Sequence, residues 1–158
     1  MTRTGIGYDL HRLAEGRPLT VGGVVVPFEK GPVGHSDGDV LAHAICDAVL
    51  GAAGLGDIGS HFPDQDPKWK GVSSMVFLKG VREMLSQRKL TISYIDAVVI
   101  CERPRMGPHF PTMRELLARS LGVSPDRVQL KAKTNEGVDA VGRGEAIAAH
   151  VIATLSQH

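Results

Sequence analysis

Ile92-Ser93-Tyr94-Ile95-Asp96-Ala97-Val98-Val99-Ile100-Cys101, then Pro111 to Leu121, then Val128-Gln129-Leu130-Lys131-Ala132-Lys133-Thr134 is the stretch whose reading decides the fold. The first run is short, apolar and rich in branched side chains, as a buried strand requires. The second opens near Pro111, where a missing amide costs a helix nothing, and is stopped by Gly122. The third is again a strand. This alternation from Thr91 onward implies an α+β domain in which a mixed sheet carries its helices on one face. Ala146 to Leu155 shows no decisive period and is read as a further strand. Upstream, Thr4 to Arg12 reads as the first strand, and Leu19 to Phe28 as a hairpin turning at Gly22-Gly23 and ended by Pro27. Ser36 is expected to cap a first helix, with Asp39 in the capping-box position and Leu41, Ala44, Ile45, Ala48, Val49 and Ala52 as the apolar face, closed by Gly54. A second helix is expected over about Ser74 to Gln87. Leu55 to Val72 has no apolar periodicity, and a loop of that length inside a small domain points to function.

Asp9-Leu10-His11 lies on the first expected strand, where residues two apart share a face, so its carboxylate and imidazole could grip one object. His43 lies on the helix beside the apolar face, on the side shared with Asp39 and Asp47. Two imidazoles and a carboxylate are a common ligand set for a catalytic zinc, which keeps a fourth position open. Taken singly, Asp9 as a turn cap, His11 as a surface residue and His43 as a satisfied helix histidine are the commoner roles. Their clustering with His35-Ser36-Asp37-Gly38-Asp39 shifts the weight toward a site. His35 and Ser36 fall where the helix is expected to begin, and free amides at a helix N-terminus attract phosphate.

The 158 residues fit a single domain over 1–158, and a net charge of +1, from 18 basic and 17 acidic groups, offers no footprint for nucleic acid or a membrane surface. Aromatics are 4% of the chain, too few for base-stacking platforms, so a small-molecule ligand is expected. No apolar run approaches the roughly 20 residues of a membrane span, and Thr2 to Leu10 lacks a signal-peptide core, so a cytoplasmic location is expected. Cys46 and Cys101 belong to no Cys-x-x-Cys pair and are read as small buried hydrophobes.

Gly7-Tyr8-Asp9-Leu10-His11, His35-Ser36-Asp37-Gly38-Asp39, Gly56-Asp57-Ile58-Gly59, Phe62-Pro63-Asp64-Gln65-Asp66, Pro104-Arg105-Met106 and Gly142-Arg143-Gly144-Glu145 together resemble the ordered motifs of the 2-C-methyl-D-erythritol 2,4-cyclodiphosphate synthase family. The resemblance runs from Gly5 to about Ile152. It implies a lyase of the non-mevalonate route to isoprenoids that releases CMP from a cytidine-diphosphate substrate. A ferredoxin-like sandwich assembling as a homotrimer, with sites between subunits, is the architecture expected. The resemblance further implies zinc, or another divalent transition metal, on Asp9, His11 and His43, and magnesium or manganese bridging the diphosphate with Glu136 as ligand. His35 and Thr134 are implied as transition-state stabilisers. Asp57, Ile58, Gly59, Phe62, Pro63, Asp64, Gln65 and Asp66 would close over the methylerythritol part, with Asp64 accepting from its hydroxyls. Cys101, Pro104, Arg105, Met106, Gly107, Ala132, Lys133 and Thr134 would form the nucleotide pocket of the neighbouring subunit, with Asn135 and Glu136 as further substrate contacts. Arg105, Gly107 and Lys133 depart from frequent family forms there. Arg143 matches the residue that would meet an isoprenoid diphosphate in the trimer cavity, where Ala140 replaces an often aromatic side chain.

The substrate in that chemistry brings its own nucleophile, a phosphate oxygen, so the protein has to position and neutralise charge rather than activate a side chain. The same ligand set could instead activate water in a zinc-dependent phosphoanhydride hydrolase. A non-enzymatic trimeric metal-binding module is a third reading, disfavoured because a structural zinc would need a fourth protein ligand. The trimer expectation also rests on Cys46 and Leu50, which lie outside the first helix's main apolar face.

Overall fold

The computed structural model describes residues 1–157. A sheet of order β4-β1-β7-β5-β6 is built from β1 (Thr2–Glu15), β4 (Lys30–Pro32), β5 (Leu90–Ile100), β6 (Val128–Lys133) and β7 (Ala146–Gln157). The β5–β6 pair is parallel and the other pairs antiparallel, so the sheet is mixed as expected. A separate hairpin pairs β2 (Leu19–Val21) with β3 (Val24–Val26). Its turn residues Gly22 and Gly23 both have positive φ, the conformation that a tight two-residue hairpin turn requires. The helices are α1 (Val40–Ala53), α2 (Ile58–His61), α3 (Met75–Gln87), α4 (Phe110–Leu121) and α5 (Asp139–Gly142).

The order differs from a ferredoxin-like sandwich, in which a hairpin sits between two helices. Here α4 joins the parallel strands β5 and β6, and the last two strands follow each other with only the four-residue α5 between them. The parallel connection needs a crossover helix, and the sequence supplies it at Pro111 to Leu121.

β7 resolves the ambiguity of Ala146 to Leu155. From Ala149 to Leu155 its odd residues are buried and its even residues, among them His150 and Ile152, point to the other face. Ile152 is apolar and 52% exposed, which is what blurred the alternation.

α1 lies closely against β1. A Cβ at Gly5 would meet the Ala48 carbonyl oxygen at 2.1 Å, and one at Gly7 would meet that of Ala44 at 1.9 Å. Only glycine permits this approach, which sets His43, next to Ala44, beside Asp9, two residues beyond Gly7.

The N-terminus of α1 departs from expectation. Asp39 is the cap, accepting from the amide of Ala42, and Ser36 is not. The Asp39 carboxylate is fully buried and also accepts from the amides of Gly22, at 2.9 Å, and Gly23, at 2.7 Å, tying the hairpin to the helix. That helix end is therefore already occupied by the buried Asp39 side chain and is not open to phosphate. Cys46 and Leu50, expected to serve a subunit contact, are wholly buried inside the chain, because α1 is covered by the sheet on one side and α3 on the other.

The uncovered sheet face carries the exposed apolar side chains instead. Ile6 is 76% exposed, Tyr8 51%, Leu10 44% and Tyr94 44%. No helix among the described residues is long and apolar enough to cross a membrane.

Candidate functional site

Asp9 and His11 leave β1 on its helix-covered face and meet His43 from α1. Asp9 Oδ2 lies 2.9 Å from His11 Nε2 and 3.1 Å from His43 Nδ1, and the two nitrogens are 3.2 Å apart. With zinc–ligand bonds of about 2.0–2.1 Å, the edge of a tetrahedral site is roughly 3.3 Å. The three atoms thus already describe nearly one face of such a tetrahedron. Burial pushes the Asp9 carboxyl up, but hydrogen bonds and charge from His11 and His43 outweigh it and hold the group at about 2. Burial opposes the charged form of His43, yet Asp9, Asp39 and Asp37 raise it above the ordinary histidine value.

The triad lines a cavity of about 290 Å³ together with His35, Ser36, Asp47, Ile58, Gly59, Phe62 and Asp64. The long segment after Gly54 forms its far wall. Asp57 caps α2 through the amide of Ser60, and the amide of Ile58 donates to Asp47 Oδ1 at 2.7 Å. Phe62 packs on Phe77, with ring centroids 4.8 Å apart, and edge-on to Trp69 at 5.2 Å. Gly71 N–H donates to the His35 carbonyl, and His35 Nε2 donates to the Asp66 carbonyl at 3.2 Å. The expected loop is therefore folded onto the His35 to Asp37 strip. Asp66 caps the short turn Pro67–Trp69, while Pro63 and Gln65 stay exposed outside the cavity lining.

The second group of expected residues lies elsewhere on the chain. Cys101, Pro104, Arg105, Met106, Gly107, Ala132, Lys133 and Thr134 line a cavity of about 370 Å³ at the ends of β5 and β6. No lining residue is common to the two cavities. Burial, and then the charge of Glu102, push the Cys101 thiol up to about 11, so it is an inert wall and not a nucleophile. Thr134 Oγ1 accepts from the amide of Glu136, an exposed residue with φ of 53°, and the Asn135 side chain donates to Asp139. Arg143 pairs with Glu145 at 3.0 Å and is exposed, and Ala140 is half-buried. One chain thus brings His35 to the triad but leaves Thr134, Glu136, Arg105 and Arg143 outside that cavity.

Two further contributors were not among the expected site residues. Asp47 stands one turn after His43 on the same helix side, and that spacing was its signal. Ser74 opens α3 without capping it; its hydroxyl turns to His43 Nε2 at 2.8 Å instead, which only the fold reveals.

Against known proteins, residues 2–156 match the family described as the YgbB family. A Clostridium perfringens protein named 2-C-methyl-D-erythritol 2,4-cyclodiphosphate synthase is 53% identical over 153 residues, 97% of this chain and 98% of that one. A solved 2C-methyl-D-erythritol-2,4-cyclodiphosphate synthase in a CDP-bound form is 40% identical, with a TM-score of 0.89 over 98% of this chain and 100% of its own. The bifunctional IspDF of Campylobacter jejuni is 37% identical with a TM-score of 0.96; all of this chain matches 43% of that protein. With the match spanning nearly every residue and the same fold in relatives at these identities, the chain belongs to the YgbB family, whose similar members are named 2-C-methyl-D-erythritol 2,4-cyclodiphosphate synthase.

Proposed function

We propose that this chain, as one domain over residues 1–158, converts 4-diphosphocytidyl-2-C-methyl-D-erythritol 2-phosphate to 2-C-methyl-D-erythritol 2,4-cyclodiphosphate and CMP. The observation that carries this is the convergence of Asp9, His11 and His43 on one point of a cavity roofed by Ile58, Gly59, Phe62 and Asp64. The donor set suits zinc, and a bound zinc would supply Lewis-acid stabilisation to a phosphate oxygen while magnesium, held partly by Glu136, neutralised the diphosphate.

The chain's own residues then position. Asp64 accepts from the methylerythritol hydroxyls, and the Ile58 and Phe62 walls exclude water, which would otherwise compete with the 2-phosphate as nucleophile. His35, anchored through Nε2 to the Asp66 carbonyl, borders the cavity in which the phosphates would lie, and Ser36 offers a hydroxyl beside it. Thr134 donates to phosphate oxygens from the nucleotide side, where Arg105 meets the diphosphate and backbone groups of the Cys101 to Gly107 turn read the cytosine. His35→Ala and Thr134→Ala should each lower turnover at saturating substrate by about tenfold to a thousandfold while zinc content stays unchanged. Rates near the unsubstituted value in both would remove them from the mechanism.

The active unit in this reading is a homotrimer with each site shared between chains. The separation of the two cavities and the bare apolar sheet face support it, since a surface bearing Ile6, Tyr8 and Ile152 gains by being covered. Arg143 would meet an isoprenoid diphosphate enclosed near the axis. Co-refolding inactive His43→Ala and Arg105→Ala chains should therefore restore CMP release, because some sites then combine an intact His43 with an intact Arg105. Activity no greater than that of the separate variants, in trimers shown to contain both chains, would rule out shared sites. The cytosol is the proposed location, as for other soluble steps of small-molecule biosynthesis.

The reading itself is tested by incubating the zinc- and magnesium-loaded protein with the cytidyl substrate. Metal-dependent CMP release is expected, and its absence contradicts the proposal.

A further inference from the structure

We infer that Ser74 and Asp37 act as a positioning relay that fixes which nitrogen of His43 is presented to the metal. Ser74 is fully buried at the start of α3. Its hydroxyl is 2.8 Å from His43 Nε2, and it also donates to Asp37 Oδ1, while the Ser74 amide donates to Asp37 Oδ2 at 2.9 Å. The Asp37 side chain is oriented in turn by the Asp39 amide, which donates to Oδ1 at 3.1 Å.

The direction of every proton follows from the chemistry. A carboxylate only accepts, so the single hydroxyl proton of Ser74 is committed to Asp37. What Ser74 Oγ then presents to His43 is a lone pair, and it must be met by a proton on Nε2. A neutral imidazole that carries its proton on Nε2 has its lone pair on Nδ1, the nitrogen that faces Asp9 Oδ2 and His11 Nε2. Ser36 Oγ lies farther from Nε2, at 3.1 Å, and belongs to the cavity wall, so the buried serine is the stronger constraint. Phe77, with its ring centroid 6.0 Å from that of His43, restricts the other side. Ser74 also explains itself this way: it occupies the cap position of α3 yet makes no capping bond with its side chain.

The inference rests on the assignment of zinc to Asp9, His11 and His43, and it can fail separately from it. Zinc affinity is measured by competition with a chromophoric chelator for the unsubstituted protein, Ser74→Ala, Asp37→Asn and the double variant, with thermal melting as the control for folding. Outer partners of a metal-bound histidine typically change affinity by about 10- to 100-fold, and each single substitution should weaken zinc by that much. Because Asp37 acts through Ser74, the double variant should be no weaker than Ser74→Ala. A folded Ser74→Ala with unchanged affinity, or losses that multiply in the double variant, would overturn the relay. Should Ser74→Ala not fold, the unsubstituted zinc-loaded protein decides: long-range 1H–15N spectra should show His43 protonated at Nε2 and metal-bound at Nδ1, and the reverse overturns the inference. No tight zinc in the unsubstituted protein would remove the metal assignment and the relay together.

Discussion

A chain carrying His11→Ala and His43→Ala together is expected to bind no zinc and to lose at least about a thousandfold in turnover, since a Lewis acid at an attacked phosphate supplies several kcal/mol. After chelator washing and reconstitution, the unsubstituted protein should hold about one zinc per chain, the stoichiometry of a single three-ligand site. The double variant should retain its helical circular dichroism, because both side chains sit at a cavity wall and not in the packed core. Unchanged zinc content in the double variant would place the metal elsewhere. The site also fixes a pH dependence. Zinc requires His43 without its Nδ1 proton, and the carboxylates of Asp9, Asp39 and Asp37 raise the affinity for that proton despite burial. Zinc should therefore bind fully only above the raised histidine value and weaken as pH falls through it, beginning at a higher pH than an ordinary histidine site would.

Gly7→Val should be strongly destabilising, because it strikes the contact between β1 and α1. A Cβ there would lie 1.9 Å from the Ala44 carbonyl oxygen and 2.8 Å from the Ala48 amide nitrogen, both backbone atoms of α1, so neither side can yield by a rotamer change. The helix must lift from β1. Overpacking of a core costs about 1–3 kcal/mol where side chains can adjust, and a clash with helix backbone should exceed the upper figure. Gly51→Ala, whose Cβ would meet nothing within 4 Å on the same helix, is the control and should stabilise by about 1 kcal/mol. Denaturant melts of the two variants check this; equal stability would mean that the close approach of α1 to β1 is not what seats His43 beside Asp9.

The elements were legible where one face of each was apolar and its ends were marked. Gly54 and Gly122 both cap helices in the left-handed conformation, and Gly22-Gly23 makes the hairpin turn as its composition demanded. The candidate metal-binding triad was legible for a similar reason, because two-residue spacing on a strand and a histidine beside the apolar face of a helix are local facts. Asp39 was misread because a buried carboxylate that collects amides from a distant turn cannot be distinguished locally from a capping-box partner. Strand order was not legible either, since the placement of β7 between β1 and β5 depends on pairings between residues far apart in the chain, such as Thr2 with Ser156 and Leu90 with Gln157. Ser74 lies thirty-one residues from His43 in sequence, and nothing local announces their contact.

Phosphorus NMR of the reaction products tests the central claim most directly, because a cyclase and a hydrolase built on the same three ligands differ only in which oxygen attacks phosphorus. With zinc- and magnesium-loaded protein and the cytidyl substrate, CMP is expected together with a cyclic diphosphate showing two mutually coupled phosphorus signals, formed in equal amounts. CMP accompanied by an open-chain 2,4-bisphosphate, with two uncoupled phosphorus signals and oxygen taken up from labelled water, would contradict it.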